Sequence, residues 1–134
     1  QQTNNHKNRT MKQVIATTAA PGAIGPYSQA IDTGTFVYAS GQIPINPATG
    51  EIPQGITAQT EQSLANVKAI MEAAGLTMAN VVKTTVFLAD MADFGAMNEV
   101  YARAFEAPYP ARSAVAVREL PKGVMVEIEV LAMR

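Results

Sequence analysis

The chain contains no cysteine and no tryptophan, and its single histidine, His6, lies in a polar stretch at the N-terminus. Without cysteine there are no disulfides, no thiolate metal sites and no cysteine nucleophile. With no histidine beyond residue 6, a Ser-His-Asp triad, a histidine-ligated metal and a two-histidine ribonuclease mechanism all lose required parts. The lack of tryptophan makes a small domain a poor platform for sugars, although Glu127 and Glu129, about 7 Å apart along a strand, would offer a pair of carboxylates. No Walker pattern or G-x-G-x-x-G is present, because Gly22 and Gly25 lack both a third glycine and a following helix. The acids at Asp90, Asp93 and Glu99 make no metal signature. No apolar run reaches the roughly 20 residues that span a bilayer. The N-terminus also lacks the charged-then-apolar order of a secretory signal. A soluble, cytoplasmic protein that does not use a membrane is the expectation.

What is present fits one globular domain. The 134 residues are 48% hydrophobic and 16% charged, with a net charge of -1. That size allows roughly two-thirds of the unfolded surface to be buried. Residues 1–10 (QQTNNHKNRT) are polar throughout and precede Met11, so they read as a disordered leader or added extension ahead of a single domain over 11–134. Setting them aside removes Lys7 and Arg9 and leaves 8 basic against 11 acidic side chains. Such a balance argues against binding nucleic acid by general electrostatic attraction.

Periodicity gives the elements. Residues 12–15 read as a short edge strand, Pro21 to Pro26 as an irregular loop, 36–40 as a strand and 43–55 as a loop rich in proline. From Thr57 to Ala74, apolar residues recur at helical spacing (Leu64, Val67, Ile70, Met71), and Gly75 supplies a stop. Residues 80–88 alternate and are rich in valine and threonine, as a strand requires. Asp93 is placed to cap a second helix that runs to about Phe105, with Pro108 and Pro110 beyond it. The order predicts an α+β domain: a mixed sheet with two helices packed on one face, each helix linking strands that can lie parallel.

Charges interrupt the last two strands. In Val124 to Ala132 one parity is apolar and the other carries Glu127 and Glu129; in Ser113 to Arg118 the apolar parity is Ser113, Val115, Val117, leaving Arg112 on the other side. Leu120-Pro121-Lys122-Gly123 reads as the loop of an antiparallel hairpin joining the two. Apolar must then oppose apolar, which sets Arg112 on the same uncovered face as Glu127 and Glu129. That face would suit burial against another subunit in a cyclic oligomer. One guanidinium with one or two carboxylates suits binding a small carboxylic acid and moving protons to and from water; an interface salt bridge would use the same pair.

Several segments taken in order resemble the RidA/YjgF family of enamine/imine deaminases: Ile24-Gly25-Pro26-Tyr27-Ser28-Gln29, Ala39-Ser40-Gly41-Gln42-Ile43-Pro44, Gln62-Ser63-Leu64-Ala65-Asn66-Val67, Lys83-Thr84-Thr85-Val86-Phe87, Pro110-Ala111-Arg112-Ser113, Leu120-Pro121-Lys122 and Val126-Glu127-Ile128-Glu129. The resemblance runs from Met11 to Arg134. It implies a chorismate-mutase-like α+β fold, a homotrimer with pockets at the subunit interfaces, and cofactor-free, metal-free hydrolysis of 2-imino acids to 2-oxo acids and ammonia. It also implies roles: Arg112 to hold the substrate carboxylate, Glu127 to activate water, and Tyr27, Ser40, Gly41 and Asn98 to line the pocket. Many relatives carry cysteine where this chain has Ala114, which could still contribute its backbone N–H but removes any thiol-dependent role. Glu129 is expected to be an interface charge. Two other functions stay open: a non-catalytic module that binds or senses 2-oxo acids, and the endoribonuclease or translation inhibitor activity ascribed to some members, which the acidic balance and the missing histidine disfavour.

Overall fold

The computed structural model describes residues 12–134, so the polar leader, His6 and Met11 lie outside the described residues. Eight principal elements follow in chain order: β1 (Gln13–Ile15), β2 (Ala30–Asp32), β3 (Phe36–Gln42), α1 (Ile56–Ala73), β4 (Val81–Leu88), α2 (Phe94–Ala104), β5 (Ala111–Ala116) and β6 (Val126–Met133). The six strands form one sheet in the order β1-β2-β3-β6-β4-β5. Strand β6 is antiparallel to both β3 and β4, and β4 is parallel to β5. Both helices therefore serve as crossovers between parallel strands, the geometry that such long connections require. The α+β architecture expected from the sequence is the one observed.

The first helix is built as its sequence dictates. Val67, Ile70 and Met71 are completely buried, and each removes enough apolar surface to contribute about 1.5–3 kcal/mol. Its C-terminus closes through Gly75 at φ 77°, with Leu76 N–H donating to Met71 O at 2.8 Å and Gly75 N–H to Glu72 O at 3.0 Å. These are the paired bonds of a Schellman stop, which needs a left-handed residue where glycine stands. The second helix begins differently from expectation. Asp93 makes no side-chain cap; Asp90 accepts from Ala92 N–H at 2.9 Å and caps a 3₁₀ turn (Met91–Asp93) that leads into α2.

The expected β5–β6 hairpin does not form. The nine residues between the two strands carry the chain past β4, and β6 enters the sheet between β3 and β4. Physically, β6 alternates fully, with Val126, Ile128, Val130 and Ala132 almost wholly buried. It gains most where both its edges are paired and its apolar face lies under the helices. Strand β5 is mostly exposed and takes the sheet edge. Strand β2, only three residues long, carries too little alternation to be read from sequence.

The change of partner also reverses a face. Across β4, Thr84 stands opposite both Arg112 and Val130, whereas Phe87 stands opposite Val115 and Glu127. Arg112 is therefore on the helix-covered face, and Glu127 and Glu129 are on the opposite, open one. The expectation that the three charges share one face is overturned. It assumed that Ser113, Val115 and Val117 faced the core, but Val115 is 46% exposed on the open face, while Ala114 packs toward the core beside Val86. Tyr38, Val115 and Met133 leave that open face apolar and uncovered within the chain.

Candidate active site

Two hollows collect nearly all the residues singled out in the sequence. The larger, about 750 Å³, lies on the open face; among its lining are Tyr27, Ser40, Gly41, Pro121, Lys122 and Glu127. The smaller, about 400 Å³, lies at the sheet edge against α2, lined by Asn98, Tyr101, Ala102, Tyr109, Pro110 and Arg112. Ala114 lines neither; it packs against the core.

Glu127 owes its position to a register shift in β3 between Ala39 and Gln42, opposite β6. Gly41 sits in that irregularity, and a Cβ added to it would overlap the Glu127 carboxylate, with Cδ at 2.9 Å and Cγ at 3.1 Å. Glycine is thus required for close approach rather than for backbone freedom. Partial burial raises the Glu127 pKa above its ordinary value, and the neighbouring Glu129 carboxylate on the same strand face raises it further. A carboxylate in that state can hold a proton closer to neutral pH than an exposed one.

The walls of this cavity are tied down by neutral polar side chains. Ser40 Oγ donates to Ser28 O at 2.6 Å, which leaves its lone pairs toward other partners. Gln29 is buried and clasps the Thr17–Pro21 segment: its Nε2 donates to Pro21 O at 2.7 Å and Thr17 O at 3.0 Å, and Thr17 N–H donates to its Oε1 at 2.7 Å. From α1, Ser63 Oγ donates to Gln42 O at 2.7 Å, and Asn66 Nδ2 donates to Ile45 O at 3.0 Å. Gln59 Oε1 accepts from Met125 N–H at 2.8 Å and so fixes the entry to β6. Gln59, Ser63 and Asn66 are supporting residues that reading for chemistry alone passes over. Their signal was available: polar side chains at i, i+4 and i+7 on the apolar face of a helix must find buried partners.

Arg112 is prepared in another way. Its Nη1 donates to Asn98 Oδ1 at 2.7 Å, and its guanidinium lies 4.6 Å from the Tyr101 ring centroid and 5.4 Å from that of Phe94. Tyr101 is in turn locked by a 2.7 Å bond between its hydroxyl and Thr84 Oγ1. The stacking and the single amide bond orient the planar fork without neutralising it. Among the described residues the ion pairs are Arg103–Glu61 and Arg134–Asp32, so neither Arg112 nor Glu127 has a charged partner among them. Among the described residues no group of three or more His, Cys, Asp or Glu could hold a metal ion, and no helix is long and apolar enough to cross a membrane.

Comparison with known proteins agrees on the lineage. The family described as Endoribonuclease L-PSP matches residues 17–134. A RutC family protein of Haemophilus influenzae is 58% identical over 92% of this chain and 98% of its own length. The 2-iminobutanoate/2-iminopropanoate deaminase of Escherichia coli is 54% identical over 92% and 99%. Among solved structures, E. coli TdcF with bound serine superposes with a TM-score of 0.89 at 52% identity, covering 91% of this chain and 98% of that one. The E. coli YjgF gene product gives 0.89 at 54% identity, covering 91% and 98%. With the profile matched over nearly all the described residues and more than half of the positions identical to full-length relatives, the chain belongs to the Endoribonuclease L-PSP family, the RidA/YjgF family that its sequence resembles.

Proposed function

We propose that this protein is a cytoplasmic hydrolase that converts 2-imino acids such as 2-iminopropanoate and 2-iminobutanoate to 2-oxo acids and ammonia, and that its site is completed by a second copy of the chain in a homotrimer. The observation that carries this reading is the separation of two unneutralised charges: Arg112 is on the helix-side edge and Glu127 is on the open face of the same sheet. One small ligand can meet both only if the Arg112 edge of one copy is laid over the Glu127 cavity of another. The exposed Tyr38, Val115 and Met133 supply the apolar surface for such contact. The region 11–134 acts as one domain.

In the assembled site the Arg112 fork binds the α-carboxylate of the imino acid bidentately. Glu127 takes a proton from water as its oxygen adds to C2, which is already electrophilic in a C=N bond. Glu127 then gives that proton to the nitrogen and relays the proton of the new C2 hydroxyl to it in turn, so that the C–N bond breaks as the C=O bond forms and ammonia leaves with the 2-oxo acid behind. Water supplies the oxygen and two hydrogens, so atoms balance without redox change or cofactor. The main contributions are orientation and proton transfer. Tyr27, Ser40 and Gly41 shape the cavity, Ala114 offers backbone only, and Asn98 positions Arg112. The deaminase name of one relative and the serine held by another support an amino-acid-sized substrate.

The test is a coupled assay in which an amino-acid dehydratase releases the imine and oxo-acid formation is followed. The purified protein should accelerate it, and Arg112→Ala should remove the acceleration. Arg112-dependent binding of a 2-oxo acid without turnover would instead favour the sensing module.

A further inference from the structure

Among the described residues, one non-glycine residue has a left-handed backbone: Lys122, at φ 57° and ψ 17°. It lies in the turn entering β6, followed by Gly123 at φ 67° and closed by Gly123 N–H donating to Leu120 O at 3.1 Å. Glycine adopts this conformation freely and asparagine more easily than other side chains, so a lysine here is held against its backbone preference. Strain of this kind clusters where a side chain has work at a site. Pro121 and Lys122 form part of the wall of the Glu127 cavity, and among the described residues Lys122 and Glu127 are its only charged lining residues. They form no ion pair with each other or with any other described residue.

An exposed cationic residue that the proposed imine hydrolysis does not use therefore borders the cavity. Arg112 is committed to the α-carboxylate, and its hollow is separate from the lining that contains Lys122. Within one chain, before the Arg112 edge of a second copy covers it, the hollow measures about 750 Å³, within the range that encloses ligands of drug size and larger than a three- or four-carbon acid. Lys122 is exposed at this largely apolar wall, and a lysine ammonium within reach of such a site recognises an anion. In a 2-imino acid, the group left to meet it is the side chain.

We propose that Lys122 is a specificity residue that binds a second, side-chain carboxylate, so that dicarboxylic 2-imino acids are substrates of the same site. The proposal rests on the deaminase reading above. The chemistry is unchanged: water oxygen adds at C2, the nitrogen leaves as ammonia, and Lys122 forms and breaks no covalent bond.

The experiment compares oxo-acid formation from imines generated by oxidation of L-glutamate or L-aspartate with that from L-alanine, using the full chain and its Lys122→Asn and Lys122→Arg variants. Asparagine tolerates the left-handed turn, and arginine keeps the cation. The wild type should accelerate both classes. The ratio of kcat/KM for dicarboxylic over monocarboxylic imines should fall about three- to tenfold in Lys122→Asn, persist in Lys122→Arg, and decline with added salt in the wild type. No acceleration of the dicarboxylic imines by the wild type, or an unchanged ratio in Lys122→Asn, overturns the proposal. Failure of the wild type on both classes overturns the deaminase reading itself.

Discussion

The Glu127 cavity and the Arg112 hollow prepare opposite charges by opposite means. Glu127 is half-buried against Gly41 and near Glu129, so its surroundings oppose ionisation and raise its pKa. Arg112 lies on two aromatic faces with one neutral amide acceptor, so its surroundings leave the charge intact and fix only its plane. The first arrangement suits a group that must gain and lose a proton. The second suits one that must stay charged and wait for an anion. The difference lies in the sheet, which holds the two opposite charges on separate faces and keeps them from cancelling, as the proposed site shared between copies requires.

The strongest way to break that comparison is to mix two dead halves. Arg112→Ala and Glu127→Gln should each lose more than about a hundredfold in kcat/KM, the scale of removing a proton-transfer group or an oriented charge. If each site draws Arg112 from one copy and Glu127 from another, reassembling the two variants at equal ratio should restore about one quarter of wild-type activity by random pairing. No recovery with well-mixed oligomers would place both residues in one copy's site. Gly41→Ala comes next. Its new Cβ displaces the Glu127 carboxylate, and a loss on the order of tenfold to a hundredfold in kcat is expected, with Arg112-dependent binding of a 2-oxo acid retained in a calorimetric titration.

Smaller effects sharpen the contrast in how the charges are tuned. Burial and Glu129 both disfavour the ionised form of Glu127, so its pKa is raised; Glu129→Gln removes the second cause and should lower it toward the ordinary carboxylate value. Activity that needs ionised Glu127 would then persist to lower pH, visible as a shift of the acid limb of the kcat/KM profile. Other charges near these carboxylates are Lys122, which shares the Glu127 cavity, and Lys83 on β4, which donates to Ser113 Oγ at 3.3 Å; neither pairs with Glu127 or Glu129. An acid limb unmoved in Glu129→Gln would assign the titration to another group. Least of all, Tyr101→Phe keeps the ring under Arg112 but leaves buried Thr84 Oγ1 without its 2.7 Å partner. That should cost about 1–2 kcal/mol of stability, read as a Tm lower by a few degrees, with activity nearly kept and the loss relieved by adding Thr84→Val.

Most of the residues singled out in the sequence gather in the two hollows, but how they are arranged there was not legible beforehand. Tyr27, Ser40, Gly41 and Glu127 do share one cavity, and Asn98 does meet Arg112. Ala114 does not line either hollow. The hairpin reading failed because strand parity says which residues share a face within one strand and nothing about which strand comes next in the sheet. Leu120-Pro121-Lys122-Gly123 looked like a hairpin loop for good local reasons: Pro121 and the left-handed Lys122 and Gly123 do make a tight turn. The turn redirects the chain without pairing the strands around it.

By itself the sequence determined the local periods, the Schellman stop at Gly75, the stripe of α1, the alternation of β6, and the short inventory of side chains able to do chemistry. Each depends on residues near in sequence and on backbone geometry common to all chains. Only the tertiary structure decided that β6 lies between β3 and β4, that Arg112 turns under α2, and that Glu127 faces away from it. The reason is that strand neighbours are chosen by the whole sheet: every edge seeks a partner and every apolar face a cover, and those demands are met over distances along the chain that no local pattern records.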